Sequence, residues 1–424
     1  MTNFQFEGCA SEPPKAPAGV AVEFKVSVPE EILEDLSARL NRARFPNQLE
    51  GAEDWSYGTE LTYLKSLVEY WKNSYDWRKQ EAALNEFSHF KMYIPQTDIN
   101  VHFIHAKSPR ADAKPLLLAH GWPGSFYEFH KIAQRLSNPE DPKAPAFHLI
   151  LKTGYGFSSA PKTKGFNTRK IGDTFNQLMV YLGYTRYFAQ GGDWGAIIVR
   201  SLGLNHAKNC AAIHINMCVA MPSLYNPIHV LQLVELATVG PTFFLTKQEA
   251  GFIADTQFFQ KNETAYQAIQ GTKPQTLGYG LNDSPVGLLA WIVEKFRTWS
   301  DCKGNVENKF SKDEIITNIM IYWVNGAITS STRLYYESIG QAAANKYSDS
   351  FQAYVTVPTG VAVFPKELFK APKSWAQASY NVKHWSVFNS GGHFAALEEP
   401  DTLLQDMRAF FGPLSKSLSK TSKL

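Results

Sequence analysis

The stretch Tyr187-Phe188-Ala189-Gln190-Gly191-Gly192-Asp193-Trp194-Gly195, continued by Ala196-Ile197-Ile198-Val199-Arg200, decides how this chain is read. A short run fit for a buried strand enters a turn dense in glycine, and an apolar segment able to open a helix follows. Strand, tight turn and helix are the setting of a nucleophile elbow, where small neighbours let the backbone bend sharply and push one side chain out over the sheet. Serine normally stands at the apex; here it is Asp193. A serine would attack carbonyls. A carboxylate can instead displace a leaving oxygen or halide at saturated carbon and become an ester itself. Alone, a glycine-flanked Asp is more often a turn residue or a helix N-cap, so other motifs must decide.

The first is His120-Gly121-Trp122-Pro123-Gly124-Ser125, directly after the strand candidate Pro115-Leu116-Leu117-Leu118-Ala119. A loop in this place supplies half of an oxyanion hole, with the backbone N–H groups of Trp122 and Trp194 as donors. Pro123 is a candidate for a cis bond. The second is Ser390-Gly391-Gly392-His393-Phe394, after the strand candidate His384 to Phe388 and before a helical stretch from Phe394 to Leu404. Among 11 histidines only His393 is framed in this way. His102 and His105 stand three apart on a strand, on opposite faces, and make no metal pair.

A triad in this order needs a carboxylate between nucleophile and base. Thr359-Gly360-Val361-Ala362-Val363-Phe364-Pro365-Lys366-Glu367 supplies it, because Glu367 follows an apolar run that a proline stops. The plainer reading of Lys366-Glu367 is a surface ion pair. Asp349 and Asp401 follow no comparable run and rank below it.

With Asp193, His393, Glu367 and the His-Gly-Trp-Pro loop in place, the chain resembles the epoxide hydrolases of the microsomal type within the α/β-hydrolase fold. The likeness covers most of the chain. It includes Thr272-Lys273-Pro274, Leu281-Asn282-Asp283-Ser284-Pro285-Val286-Gly287-Leu288 and Ser330-Ser331-Thr332-Arg333-Leu334-Tyr335-Tyr336-Glu337. The resemblance implies a hydroxyalkyl ester on Asp193, hydrolysed by water that His393 activates with Glu367 behind it. It also implies two cap tyrosines that donate to the epoxide oxygen, Tyr266 and Tyr335, with Tyr336 adjacent to the second. A phenol with a pKa of about 10 suits that role, being protonated at neutral pH. The substrate would be a small hydrophobic epoxide, the product a vicinal diol, with no metal or organic cofactor.

Haloalkane dehalogenases share the covalent logic, but they place asparagine where Trp122 stands and lack the tyrosine pair. A non-catalytic hydrolase-fold protein that binds a hydrophobic ligand is the alternative of another class. Such proteins often lose a triad member, and this chain keeps all three. No second elbow offers a serine.

Composition fits this reading. The 424 residues are 44% hydrophobic and 13% aromatic, enough for a large core and an apolar pocket. A net charge of +3 and the lack of a basic patch interleaved with aromatics argue against a nucleic-acid partner. Cys9, Cys210, Cys218 and Cys302 show no metal or disulfide spacing and read as reduced thiols of an intracellular protein. Met1 to Gly19 is polar and proline-rich, without the apolar anchor of the microsomal relatives. The chain closes on Ser422-Lys423-Leu424, a peroxisomal address read by an import receptor if the source is eukaryotic; otherwise the cytoplasm is expected. Soluble relatives often pair through caps and arms, so a homodimer is expected.

Periodicity divides the chain. Residues 1–95 read as a helical N-terminal arm that packs on core and cap, its helices lying between about 30 and 86, with Ile32, Leu33, Leu36 and Leu40 on one face and Leu61, Leu64, Leu67, Val68 and Trp71 on another. Alternating stretches from His89 to His105, with Ile99 to Ile104 as a clear strand, begin the sheet. Residues 96–221 alternate strand and helix as the first part of an α/β core with a mostly parallel sheet and helices on both faces. Residues 222–345 form a helical cap, 346–412 the rest of the core with a last helix from Asp401 to Phe411, and 413–424 a polar tail.

Overall fold

The computed structural model describes residues 17–152, 158–241, 243–340 and 353–418. Among them nine strands form one sheet: β1 (Val22–Phe24), β2 (His89–Ile94), β3 (Ile99–Ala106), β4 (Lys114–Ala119), β5 (Phe147–Lys152), β6 (Tyr187–Gly191), β7 (Cys210–Ile215), β8 (Val355–Val363) and β9 (Tyr380–Val387). Their order is β1-β2-β3-β5-β4-β6-β7-β8-β9. The pairs from β1 to β5 are antiparallel, and every pair from β5 through β4 to β9 is parallel. Central parallel strands are covered on both faces and therefore read as unbroken apolar runs. Leu116, Leu117 and Leu118 of β4 are accordingly buried, as is every residue of β6.

Two groups of helices pack on this sheet. Thr168–Tyr181 lies with Asp193–Asn205, and His130–Ser137 lies with Pro400–Leu418. Between β7 and β8 the chain leaves the sheet for seven helices, from Pro227–Thr238 to Ile328–Ser338, with no strand among the described residues of that block. Capping boxes at Thr246/Glu249 and Ser311/Glu314 start two of them, each pair satisfying two otherwise unpaired N–H groups.

The arm is helical over Glu30–Asn41, Leu61–Asn73 and Trp77–Leu84, and Leu64, Leu67, Val68 and Trp71 are the buried face of the second helix. It is tied to the cap by Thr59 Oγ1 donating to the Ala290 carbonyl (2.7 Å) and by Tyr70 OH donating to Asp313 (2.9 Å). Strands β2 and β3 fall where the alternation from His89 to His105 placed the start of the sheet, whereas β1, in the arm ahead of its helices, was not expected. The division at residue 95 falls inside the β2–β3 hairpin, where Ile94 pairs with Ile99. The cap–core division at 345 lies outside the described residues.

Two helix boundaries also differ from expectation. The stretch from Phe394 to Leu404 is split into Ala395–Glu398 and Pro400–Leu418. Glu399, with φ −134° and ψ 59°, is held out of the helical region by the ring of Pro400. The last helix consequently starts at Pro400 and runs seven residues past Phe411, to Leu418.

Candidate active site

Strand β6 ends at Gly191, and the next helix begins at Asp193, earlier than the Ala196 suggested by the apolar run. Asp193 sits in the left-handed region at φ 49°, which costs any residue bearing a Cβ but aspartate less than most. Close packing explains the neighbouring glycine. A Cβ on Gly195 would stand 2.0 Å from the Ala119 carbonyl oxygen at the end of β4, so only glycine lets this helix sit against that strand. The Asp193 side chain is 13% exposed, and the carboxylate faces an enclosed pocket instead of bulk water.

The Trp122 N–H donates to Asp193 Oδ1 at 2.7 Å. A Cβ on Gly121 would come within 2.1 Å of the same oxygen, so this loop approaches the carboxylate as closely as backbone can. The Trp122–Pro123 bond is cis, as the sequence suggested. Trp194 lies in the first turn of its helix, where backbone N–H groups have no partner within the helix. The cap helix Lys312–Trp323 pins the loop: Asn318 Nδ2 donates to the Pro123 carbonyl (2.9 Å) and Tyr322 OH to that of Gly124 (2.6 Å).

His393 lies between two carboxylates. Its Nε2 is 3.2 Å from Asp193 Oδ2 and its Nδ1 is 2.6 Å from Glu367 Oε1. Glu367 follows β8 and accepts from the Leu368 N–H (2.7 Å) and from Asn216 Nδ2 (3.4 Å). Gln190 Nε2 in turn donates to Asn216 Oδ1 (2.9 Å). Burial opposes charge on His393, but the adjacent Glu367 charge, then hydrogen bonds to Asp193 and Glu367, outweigh it. The imidazole is held well above its ordinary 6.5.

The opposite wall is aromatic. Tyr266 stacks on Trp122 (centroids 5.4 Å apart, 11°) and meets Tyr335 edge-on at 5.7 Å. Tyr335 also meets Trp122 and Trp194 edge-on, at 5.6 and 4.9 Å. Tyr335 is 1% exposed, whereas Tyr336 is only partly buried, so Tyr335 is the tyrosine that joins the site. Burial, reinforced by the Asp193 charge, pushes the Tyr266 phenol up, while Gln267 Nε2 donates to its oxygen at 2.9 Å.

Sequence reasoning missed several partners. Trp299 sits 5.2 Å from the rings of both Tyr266 and His393, and its carbonyl accepts from the His393 N–H (3.0 Å). Nothing in its surroundings, Thr298-Trp299-Ser300, signals this. Gln190 and Asn216 did carry a signal, being amides at the ends of apolar strand runs, where a polar side chain needs a reason. Glu398 binds the Phe394 N–H (2.9 Å) and the Asp301 N–H (2.8 Å), fastening the His393 loop to the cap segment that follows the helix Pro285–Thr298. Burial pushes its carboxyl up to about 7.

The weaker candidates fall elsewhere. Asp401 pairs with Arg135 at 2.6 Å, and Asp349 lies outside the described residues. His102 Nε2 is hydrogen-bonded to His89 Nδ1 (3.0 Å) inside the sheet. Cys210, Cys218 and Cys302 are buried free thiols; Cys9 and the terminal Ser422-Lys423-Leu424 lie outside the described residues. Among the described residues no cluster fit to hold a metal occurs, and no helix is long and apolar enough to cross a membrane.

A mostly parallel sheet with an elbow, a triad across three strand ends and an inserted cap defines an α/β hydrolase whose nucleophile position carries a carboxylate. Residues 114–325 match the alpha/beta hydrolase fold profile, and residues 21–129 match the profile described as epoxide hydrolase N terminus. Epoxide hydrolase 1 of Sus scrofa is 39% identical over 96% of this chain and 92% of its own length. The crystal structure of juvenile hormone epoxide hydrolase from the silkworm Bombyx mori superposes with a TM-score of 0.85 at 30% identity, covering 94% of this chain and 96% of that one. The Aspergillus niger epoxide hydrolase structure gives 0.79 at 32% identity, over 93% and 97%. The chain belongs to the epoxide hydrolase family, and its activity is the hydrolysis of epoxides.

Proposed function

We propose that the enzyme opens its epoxide through an ester on Asp193, and that Tyr266, Tyr335, His393, Glu367 and the N–H groups of Trp122 and Trp194 carry the two steps. The observation that supports this most is the division of labour between the Asp193 oxygens. Oδ1 is already held by the Trp122 N–H, so Oδ2, which lies outside that hold and faces His393, is the atom that attacks. As Oδ2 bonds to one epoxide carbon, the carbon–oxygen bond behind it breaks, and the leaving oxygen takes a proton from the tyrosine pair.

Esterification then changes His393. The negative charge and hydrogen bond of Asp193 that helped to hold its pKa up are gone, so the imidazole gives up its proton, which replaces the one the tyrosine pair lost, and can then take a proton from water. The hydroxide adds to the Asp193 carbonyl carbon, and the oxyanion forms on Oδ1, where the Trp122 N–H already points. Collapse releases the second diol oxygen with the proton that His393 took from the water, and the water's other proton passes from the Asp193 carboxyl to His393, restoring the carboxylate. The aromatic walls of Trp122, Tyr266 and Trp299 favour hydrophobic, aryl-bearing epoxides.

Oxygen labelling tests the reading. With enzyme in excess over styrene oxide in H₂¹⁸O, the first turnover should give unlabelled diol and labelled Asp193; label in the first-turnover diol would refute the ester. Peroxisomal delivery, if the source is eukaryotic, rests on Ser422-Lys423-Leu424, and a fluorescent fusion that is punctate in such a cell should become diffuse when those residues are removed.

A further inference from the structure

Glu128 is a carboxylic acid that the steps above leave unused, and it opens on the same pocket as Asp193 and His393. It stands on the short 3₁₀ turn Phe126–Phe129 and folds back over Gly124: a Cβ there would fall 1.5 Å from Glu128 Oε1. Glycine at 124 thus leaves the volume that the carboxyl occupies. Among the described residues its side chain has no hydrogen-bond partner. It is only partly exposed, and it lines the pocket together with Gln190 and Asn216. A carboxyl removed from bulk water without a protein partner needs a ligand that both donates and accepts hydrogen bonds, and water is that ligand.

We propose that Glu128 positions the water that hydrolyses the Asp193 ester, an inference that rests on the covalent reading above. The water gives one proton to His393 Nε2 and its electron pair to the Asp193 carbonyl carbon, while its other hydrogen is held by the Glu128 carboxyl oxygen. Burial pushes the Glu128 acid up to about 8, against a lesser opposing pull from His393, so it is neutral at pH 7. In that form it orients water without placing a second negative charge beside Asp193. A neutral acid has a near-isostere in the primary amide, which also offers one acceptor and one donor face.

Glu128→Leu, Glu128→Gln and His393→Gln should be followed with the parent enzyme through a single turnover of styrene oxide, with intact-protein mass at each time point. In Glu128→Leu, ester hydrolysis should slow about tenfold or more while ester formation changes far less, so the adduct accumulates. Glu128→Gln should restore hydrolysis to near the parent rate. If Glu128→Leu lacks the parent near-ultraviolet circular dichroism, Glu128→Ala takes its place. Equal slowing of both steps, no slowing of either, or no rescue by Gln overturns the role of Glu128, while an adduct in His393→Gln keeps the covalent reading. Absence of an adduct in every variant, His393→Gln included, overturns the covalent reading and this inference with it.

Discussion

In the free enzyme His393 stands between Asp193 and Glu367, which hold its pKa well above the ordinary value, and in the proposed mechanism the first step removes the charge of Asp193. On that mechanism the hold on the His393 proton weakens, though Glu367 remains, at the point where a base is needed. Replacing Asp193 with Asn removes the same charge, so the His393 pKa, followed by NMR of its ring protons, should fall toward 6.5. The sign for stability follows. A histidine whose pKa is raised by folding contributes stability in full below its unfolded value of about 6.5, and that contribution is lost as pH rises through the folded value. The alkaline loss of thermal stability should thus be shallower in Asp193→Asn than in the parent. For the tyrosines, replacing both Tyr266 and Tyr335 with Phe should slow ring opening about a hundredfold or more, at unchanged far-ultraviolet circular dichroism, as loss of a general acid does. Full activity in that double variant would remove them from the mechanism.

Elements act here mainly as clamps. Asn85, at the end of the arm helix Trp77–Leu84, receives the Val26 N–H on its Oδ1 (2.9 Å) and donates to the Val26 carbonyl (2.8 Å). It replaces a missing strand partner for a segment outside the sheet. Asn85→Ala should lower unfolding free energy by about 1–3 kcal/mol, read as a shift in urea midpoint at constant slope, because those backbone groups lose their partners. Legibility in the sequence divides along the same line. Asp193, His393 and Glu367 could be read because each stands at a strand end flanked by residues the backbone itself demands, glycine or proline. Trp299, Asn318 and Tyr322 could not, since their contacts with the site join segments up to about two hundred residues apart, and no local pattern encodes such a meeting. Strand β1 escaped for another reason: Val22 is 43% exposed at the sheet edge, so it shows no buried period. The break at Glu399 was legible from Pro400 alone.

Across the whole molecule, one carboxylate joins the sheet to the final helix. Asp406 of Pro400–Leu418 accepts from His214 Nε2 of β7 (2.9 Å) and from His384 Nε2 of β9 (2.7 Å). Burial would raise its pKa, but these bonds and that from Ser386 outweigh it and hold the acid at about 2. Because this pKa is depressed by folding, the stability it contributes is present above the unfolded value of about 3.9 and is lost as pH falls toward 2. Asp406→Asn should have a lower melting temperature at pH 7, with the difference from the parent shrinking below pH 4. An undiminished difference at pH 2 would show that the carboxylate charge is not what matters. The same global arrangement, core strand ends below and cap helices above, brings Asp193 face to face with the tyrosines. Its consequence is best measured at Asp193 itself. Incubate His393→Gln with styrene oxide and digest it: a mass increase equal to one epoxide on the peptide containing Asp193 is predicted, stable for want of the base. Diol formation without any such adduct, or an adduct on another residue, would contradict it.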